Sequence, residues 1–140
     1  IGLLPWSPLG GGWLTGKYRA DERPSGATRL GEDPGRGVEA YDVRVSRPQT
    51  WTVLESLESI ARARDVSVAE VALAWVHDRP GVSSVILGAR TLAQLADNLR
   101  AAGLHLTDDE STRLDMASEP ARDDYPYGRV GREMGSRAPH

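Results

Sequence analysis

Two short apolar runs lie far apart in the chain, with helical patterns and no hairpin signal between them, and this constrains the fold more than any other feature. The first, residues 2–6 (Gly-Leu-Leu-Pro-Trp), reads as a strand ending at Pro5, because a proline cannot donate to a β-ladder and belongs at a strand end. The second, Val82 to Leu87, is a compact β-branched run, and a continuous apolar strand suits a sheet buried on both faces. Strands joined through helices pair in parallel, with a right-handed crossover. Two strands cannot bury such a sheet by themselves, so the pattern calls for further strands or for several copies that assemble.

The helical patterns are specific. Trp51, Leu54, Leu57, Ile60 and Ala61 recur at helical spacing and predict a helix over 49–64. Ser67 and Glu70 form a capping box (S-x-x-E) that opens a helix through Val68, Val71, Ala72, Trp75 and Val76, with Pro80 and Gly81 to stop it. Thr91-x-x-Gln94 is a second box, and it places Leu92, Leu95 and Leu99 on the inner stripe of the next helix. Thr107-x-x-Glu110 is a third, opening a short helix over Leu114 and Ala117. Residues 19–48 are rich in Gly, Pro, Arg and Asp without a period, and so long a loop is usually functional or disordered. The tail from Arg122 to His140 also lacks a period.

Composition excludes several function classes. At 140 residues the chain can hold one domain with a core. Seventeen basic and twenty acidic side chains, well dispersed, leave a net charge of −3 and no broad field for nucleic acid or anionic membrane. No apolar run approaches the roughly 20 residues of a membrane span. Without cysteine there are no disulfides, no thiolate catalysis and no Cys-ligated metal, which is compatible with a reducing cytoplasm. The start at Ile1, without Met and directly into apolar sequence, reads as the interior of a longer protein.

Two segments carry possible chemistry. Gly11-Gly12-Trp13-Leu14-Thr15-Gly16-Lys17-Tyr18 matches the phosphate loop G-x-x-x-x-G-K until Tyr18, which stands where a Ser or Thr hydroxyl should hold Mg²⁺. Bulky Trp13 and Leu14 also suit a phosphate wrap poorly, so an NTPase reading is set aside. Taken alone the segment is a Gly-rich turn with a solvated lysine. In Val85-Ile86-Leu87-Gly88-Ala89-Arg90-Thr91 a strand ends in Gly and a helix starts within three residues. A helix N-terminus offers free N–H groups and positive dipole to an anion, and Arg90 adds a donor fork. Gln94 and Asn98, one turn apart, share a face that can read an adenine edge, or else Gln94 merely caps and Asn98 is merely exposed.

In order and spacing the segments resemble the aldo/keto reductase family over nearly the whole chain. Trp6 to Gly12 with Leu14 to Tyr18 resembles the segment after strand 7 of those enzymes, Ser67 to Trp75 the helix leading to strand 8, and Gly88-Ala89-Arg90 with Gln94, Asp97 and Asn98 the clamp after strand 8. The branch most similar includes bacterial reductases and potassium-channel β-subunits. The resemblance implies the C-terminal fragment of a (β/α)8 TIM barrel from about strand 7 to the C-terminus, a fold whose phosphate sites lie by strands 7 and 8. Strand 7 and the pyrophosphate loop would occupy 1–18, a long loop 19–48, the helices with strand 8 and the adenosine clamp 49–121, and the tail 122–140.

The resemblance further implies an NADPH site. Trp6, Ser7, Pro8, Leu9, Gly10 and Gly11 would line its pyrophosphate and nicotinamide side, and Lys17 would pair with the pyrophosphate. Arg29 would belong to the loop that folds over the cofactor. Gly88, Arg90, Gln94, Asp97 and Asn98 would hold the 2′-phosphate, ribose and adenine. Asp97 stands where the branch commonly has the longer Glu, and Arg90 where some members have Ser, a charge that favours NADPH over NADH. The family's catalytic Asp, Tyr, Lys and His are implied to lie upstream of Ile1, with the Tyr as proton donor to the carbonyl. None of His77, His105, His140, Tyr18, Tyr41, Tyr125 and Tyr127 matches them, so the chain carries no catalytic residue and no metal site; Tyr125 and Tyr127 read as surface loop or as bordering a substrate pocket. The parent is expected to be a cytoplasmic enzyme reducing a small carbonyl substrate, with no nucleic-acid or membrane partner. A non-catalytic NADPH-sensing subunit and an inactive truncated fragment with an open barrel edge are the alternatives.

Overall fold

The computed structural model describes residues 1–35 and 37–120 of the chain. It is mostly helical: α1 (Arg29–Glu32), α2 (Tyr41–Val45), α3 (Pro48–Arg64), α4 (Val68–His77), α5 (Leu92–Arg100) and α6 (Asp108–Ser118), with 3-10 turns at Gly10–Thr15, Gly37–Glu39 and Ala101–Gly103. The α3 helix starts on a proline at its first position, where no N–H partner is needed, and ends at Asp65 in the left-handed region. Both arms of the capping boxes at Ser67/Glu70 and Thr107/Glu110 form, so α4 and α6 begin where the sequence places them.

Helices α3, α4 and α6 enclose a core of Leu57, Ile60, Ala61, Val71, Ala72 and Leu114. Burial of side chains such as Leu57 or Val71 contributes about 1.5–3 kcal/mol each. Leu9 and Leu14 pack against this core, which anchors the Gly-rich segment on the helical layer. A second core joins Trp13, Tyr18, Leu30, Tyr41 and Leu54. Trp13 lies edge-on to Tyr18 at 5.1 Å and stacked on Tyr41 at 5.8 Å, so aromatic packing ties the 19–48 loop to the Gly-rich turn. The loop is thus locally folded rather than structureless; its helices of four and five residues are too short to show a sequence period.

The apolar runs depart from expectation. They do pair in parallel, Leu3 with Val82 and Trp6 with Ile86, through Ser83 N–H to the Leu3 carbonyl (2.9 Å) and Ile86 N–H to the Pro5 carbonyl (2.9 Å). Pro5 contributes only the acceptor it has. These are isolated bridges, however, and no continuous strand forms among the described residues. Nor is the sheet buried: Leu3, Leu4, Trp6 and Ile86 are exposed. A lone parallel pair leaves each outer edge unpaired and has no layer to cover it, so nothing fixes a longer ladder.

The leucine stripe of α5 is likewise not inside. Leu92, Leu95 and Leu99 are exposed, whereas Asn98 and the adjacent Ala101 are buried. The helix therefore turns its Asn98 side inward, and no described element covers its leucines. The Thr91/Gln94 pair also differs from a reciprocal box. Thr91 Oγ1 accepts from Gln94 N–H at 3.2 Å, but the Gln94 carboxamide accepts from Arg90 N–H at 2.9 Å instead of from Thr91.

Candidate functional site

Ser7 to Gly12 makes a tight sequence of turns. Ser7 has φ 53°, and Gly10, Gly11 and Gly12 all have positive φ, with Gly10 N–H donating to the Ser7 carbonyl (2.9 Å) and Gly12 N–H to that of Leu9 (3.0 Å). Gly11 is required twice over. Its φ of 69° is costly for other residues, and a Cβ there would lie 2.3 Å from Glu39 Oε2. Glu39 reaches across from the 19–48 loop: Ser7 Oγ donates to its Oε1 at 2.9 Å, and Arg29 Nε lies 3.5 Å from its Oε2. Arg29 Nε and Glu39 Oε2 are buried and have no hydrogen-bond partner. Ser7, Gly11 and Arg29 are thereby gathered around one buried carboxylate.

The other predicted residues of this half are looser. Pro8, Leu9 and Gly10 are half-buried, whereas Trp6 is 77% exposed and faces no partner ring. Lys17 is exposed with Nζ 5.0 Å from the Tyr18 ring centroid, and a Cβ on Gly12 would lie 2.9 Å from that Nζ, so the ammonium rests above the turn.

On the α5 side, the Arg90 guanidinium grips Glu32 through two bonds, 3.1 and 2.8 Å. That contact lowers the Glu32 pKa and raises that of Arg90. The Gln94 carboxamide fixes the Arg90 backbone. Asp97 pairs with Arg100 at 3.0 Å, and Arg100 also reaches Glu70 at 2.8 Å. Burial pushes the Glu70 pKa up, but bonds from Ser67 and Arg100 outweigh it and hold the carboxyl below its usual value. Gly88 is exposed with open space where a Cβ would stand, and Asn98 is buried.

The two halves meet through α1. Its first residue, Arg29, points to the Ser7–Gly11 turns by way of Glu39, and its last, Glu32, holds Arg90. Three residues of helix rise only about 4.5 Å. Sequence reasoning found Arg29 but missed Glu32 and Glu39. The available signal was Thr28 as an N-cap ahead of Arg29-Leu30-Gly31-Glu32, whose hydroxyl does accept from Gly31 N–H at 3.0 Å.

Tyr18 and Tyr41 are buried in the aromatic core, and His77 and His105 flank Asp78 at the surface. No group of three metal-binding side chains occurs among the described residues, and no described helix is long and apolar enough to cross a membrane. Shallow clefts beside Met116 share no residue with the two predicted segments. Tyr125, Tyr127 and His140 lie outside the described residues.

A group such as a dinucleotide, with anionic pyrophosphate and ribose phosphate, is compatible with this donor set. Arg29 Nε is a buried donor with no hydrogen-bond partner, 3.5 Å from the Glu39 carboxylate, and Arg90 presents a two-point fork at the surface that Glu32 occupies.

Comparison with known proteins identifies relatives of the chain. A profile of the aldo/keto reductase family matches residues 1–119. Over 104 residues, 72% of the chain and 30% of the relative, it is 38% identical to a probable voltage-gated potassium channel subunit beta of Arabidopsis thaliana. Over 119 residues it is 36% identical to Protein tas of Escherichia coli and 33% identical to the chloroplastic pyridoxal reductase of Arabidopsis thaliana, covering 85% of the chain and 32% and 29% of those proteins. The chain thus spans about a third of the length of the curated relatives it matches.

Proposed function

The chain belongs to the aldo/keto reductase family, and from that premise we propose that it is the NADPH-binding C-terminal part of a reductase barrel, from about strand 7 onward. The parent protein reduces aldehydes or ketones, and its proton donor lies outside this chain. The observation that supports the reading is α1, whose Arg29 end meets the Ser7–Gly11 turns through Glu39 and whose Glu32 end holds Arg90, so that one short helix joins the two segments.

In this reading Ser7, Gly10, Gly11, Lys17 and Arg29 hold the pyrophosphate side. Glu39 lies against Gly11 and Arg29, so the pyrophosphate takes the place of that carboxylate, with Arg29 passing from one anion to the other. Arg90 takes the 2′-phosphate, with its backbone held by Gln94, while Gly88, Asp97 and Asn98 border the adenosine. Trp6, Pro8 and Leu9 lie on the nicotinamide side. The bound dinucleotide supplies the hydride; the residues of this chain bind and orient it.

The test is calorimetric titration of the chain with NADPH and NADH. Arg90→Ala is expected to weaken NADPH about ten-fold, the lower end for a charged hydrogen-bonded contact at an exposed site, and to leave NADH nearly unchanged. Equal losses for both would refute a 2′-phosphate contact. The similarity to a potassium-channel β-subunit supports a second reading, a non-catalytic NADPH-sensing subunit. Carbonyl turnover by the longer protein that bears this chain decides between the two.

A further inference from the structure

The Arg90–Glu32 contact joins residues 58 apart in sequence, yet neither core depends on it. Leu30 is buried in the aromatic core and Thr28 caps α1, so the helix is anchored without Glu32. Both partners are half exposed, and such pairs are held weakly and exchange readily. The geometry is the two-point fork with which a guanidinium takes a carboxylate or a phosphate alike. Glu39, another carboxylate of this loop, differs: its side chain is 14% exposed and fixed by Ser7, so it exchanges less readily.

We propose that Glu32 is a cofactor-specificity residue, which competes with the 2′-phosphate of NADPH for Arg90. This rests on the cofactor reading above. A phosphate brings three acceptor oxygens and close to two negative charges, so it displaces a singly charged carboxylate. NADH presents only a hydroxyl there and leaves the pair intact. Glu32 therefore narrows the preference for NADPH over NADH that Arg90 would otherwise confer. NADPH thus releases the Glu32 side chain from Arg90, and NADH does not.

Titration of the chain, of Glu32→Gln, and of Glu32→Gln combined with Arg90→Ala tests this. In the single variant NADPH should bind about two- to five-fold tighter, the effect of removing a weak competing ion pair, with NADH unchanged. The gain should vanish when Arg90 is also replaced. If NADPH binds the wild type but Glu32→Gln leaves it unchanged or weaker, competition is refuted and the cofactor reading stands. A loss of NADH affinity in that variant also overturns the proposal, since Glu32 would then contact the ribose itself. Failure of both nucleotides to bind either protein refutes the cofactor reading and this inference together.

Discussion

Replacing Trp13 with Phe tests whether the 19–48 loop is held to the glycine turns as the structure describes. Trp13 is 2% exposed, packs on Tyr18, Tyr41 and Trp51, and donates from Nε1 to the Glu39 carbonyl at 2.8 Å. Phe keeps a ring in the cluster and removes the donor. The lost bond is worth about 1 kcal/mol, and the partly buried carbonyl left without it adds about 1 more. The smaller ring leaves a void costing on the order of another 1 kcal/mol. Stability should therefore fall by about 3 kcal/mol, near the lower end for a buried Trp→Ala. For a chain of this length that is a Tm lower by about 10 °C. Urea denaturation followed by far-UV circular dichroism measures the loss, and the slope should not change. Because the bond holds Glu39, amide exchange should rise most in α1 and α2, with α3 and α4 less affected. A variant within about 0.5 kcal/mol of wild type, which is the range of an ordinary surface change, would refute the reasoning. An even rise in exchange across all helices would refute the tether specifically.

Two further substitutions probe the frame around the site. Gly11→Ala should cost about 2–3 kcal/mol, from its left-handed backbone and the displacement of Glu39; Gly10→Ala, with nothing within 4 Å of the new methyl, should cost only about 1 kcal/mol for the backbone. Equal costs in chemical denaturation would mean that Glu39 does not press on Gly11. Arg64 holds the Glu110 carboxyl down to a pKa of about 2, from an ordinary 4.5, so its contribution is complete above pH 4.5 and lost as pH falls toward 2. Glu110→Gln should be less stable by about 1 kcal/mol at neutral pH, with the gap closing across that window; a gap independent of pH would rule the ion pair out as its source.

Local chemistry made α3, α4 and α6 legible. Leu54, Leu57, Ile60 and Ala61 recur at helical spacing and are buried, and Ser67/Glu70 and Thr107/Glu110 satisfy orphan donors within four residues, so no distant partner is needed to specify them. The same holds for the positive-φ turns at Gly10–Gly12, which only glycine adopts cheaply, and for the parallel sense of the apolar runs. The leucines of α5 show the limit. Their spacing says that one face is apolar, but which face is buried depends on what packs there, and in the structure Asn98 turns inward while Leu92, Leu95 and Leu99 stay bare. Ladder length failed for a similar reason, since a strand is defined by neighbours on both edges. Tertiary structure alone decided that Glu39 lies against Gly11 and that Glu32 holds Arg90, contacts 28 and 58 residues apart. Charge has no period along a chain, so a carboxylate in a loop carries no mark of the cation it meets. What the sequence determined was that Arg90 stands just before a helix start; only the folded chain decided that its guanidinium holds the Glu32 carboxylate.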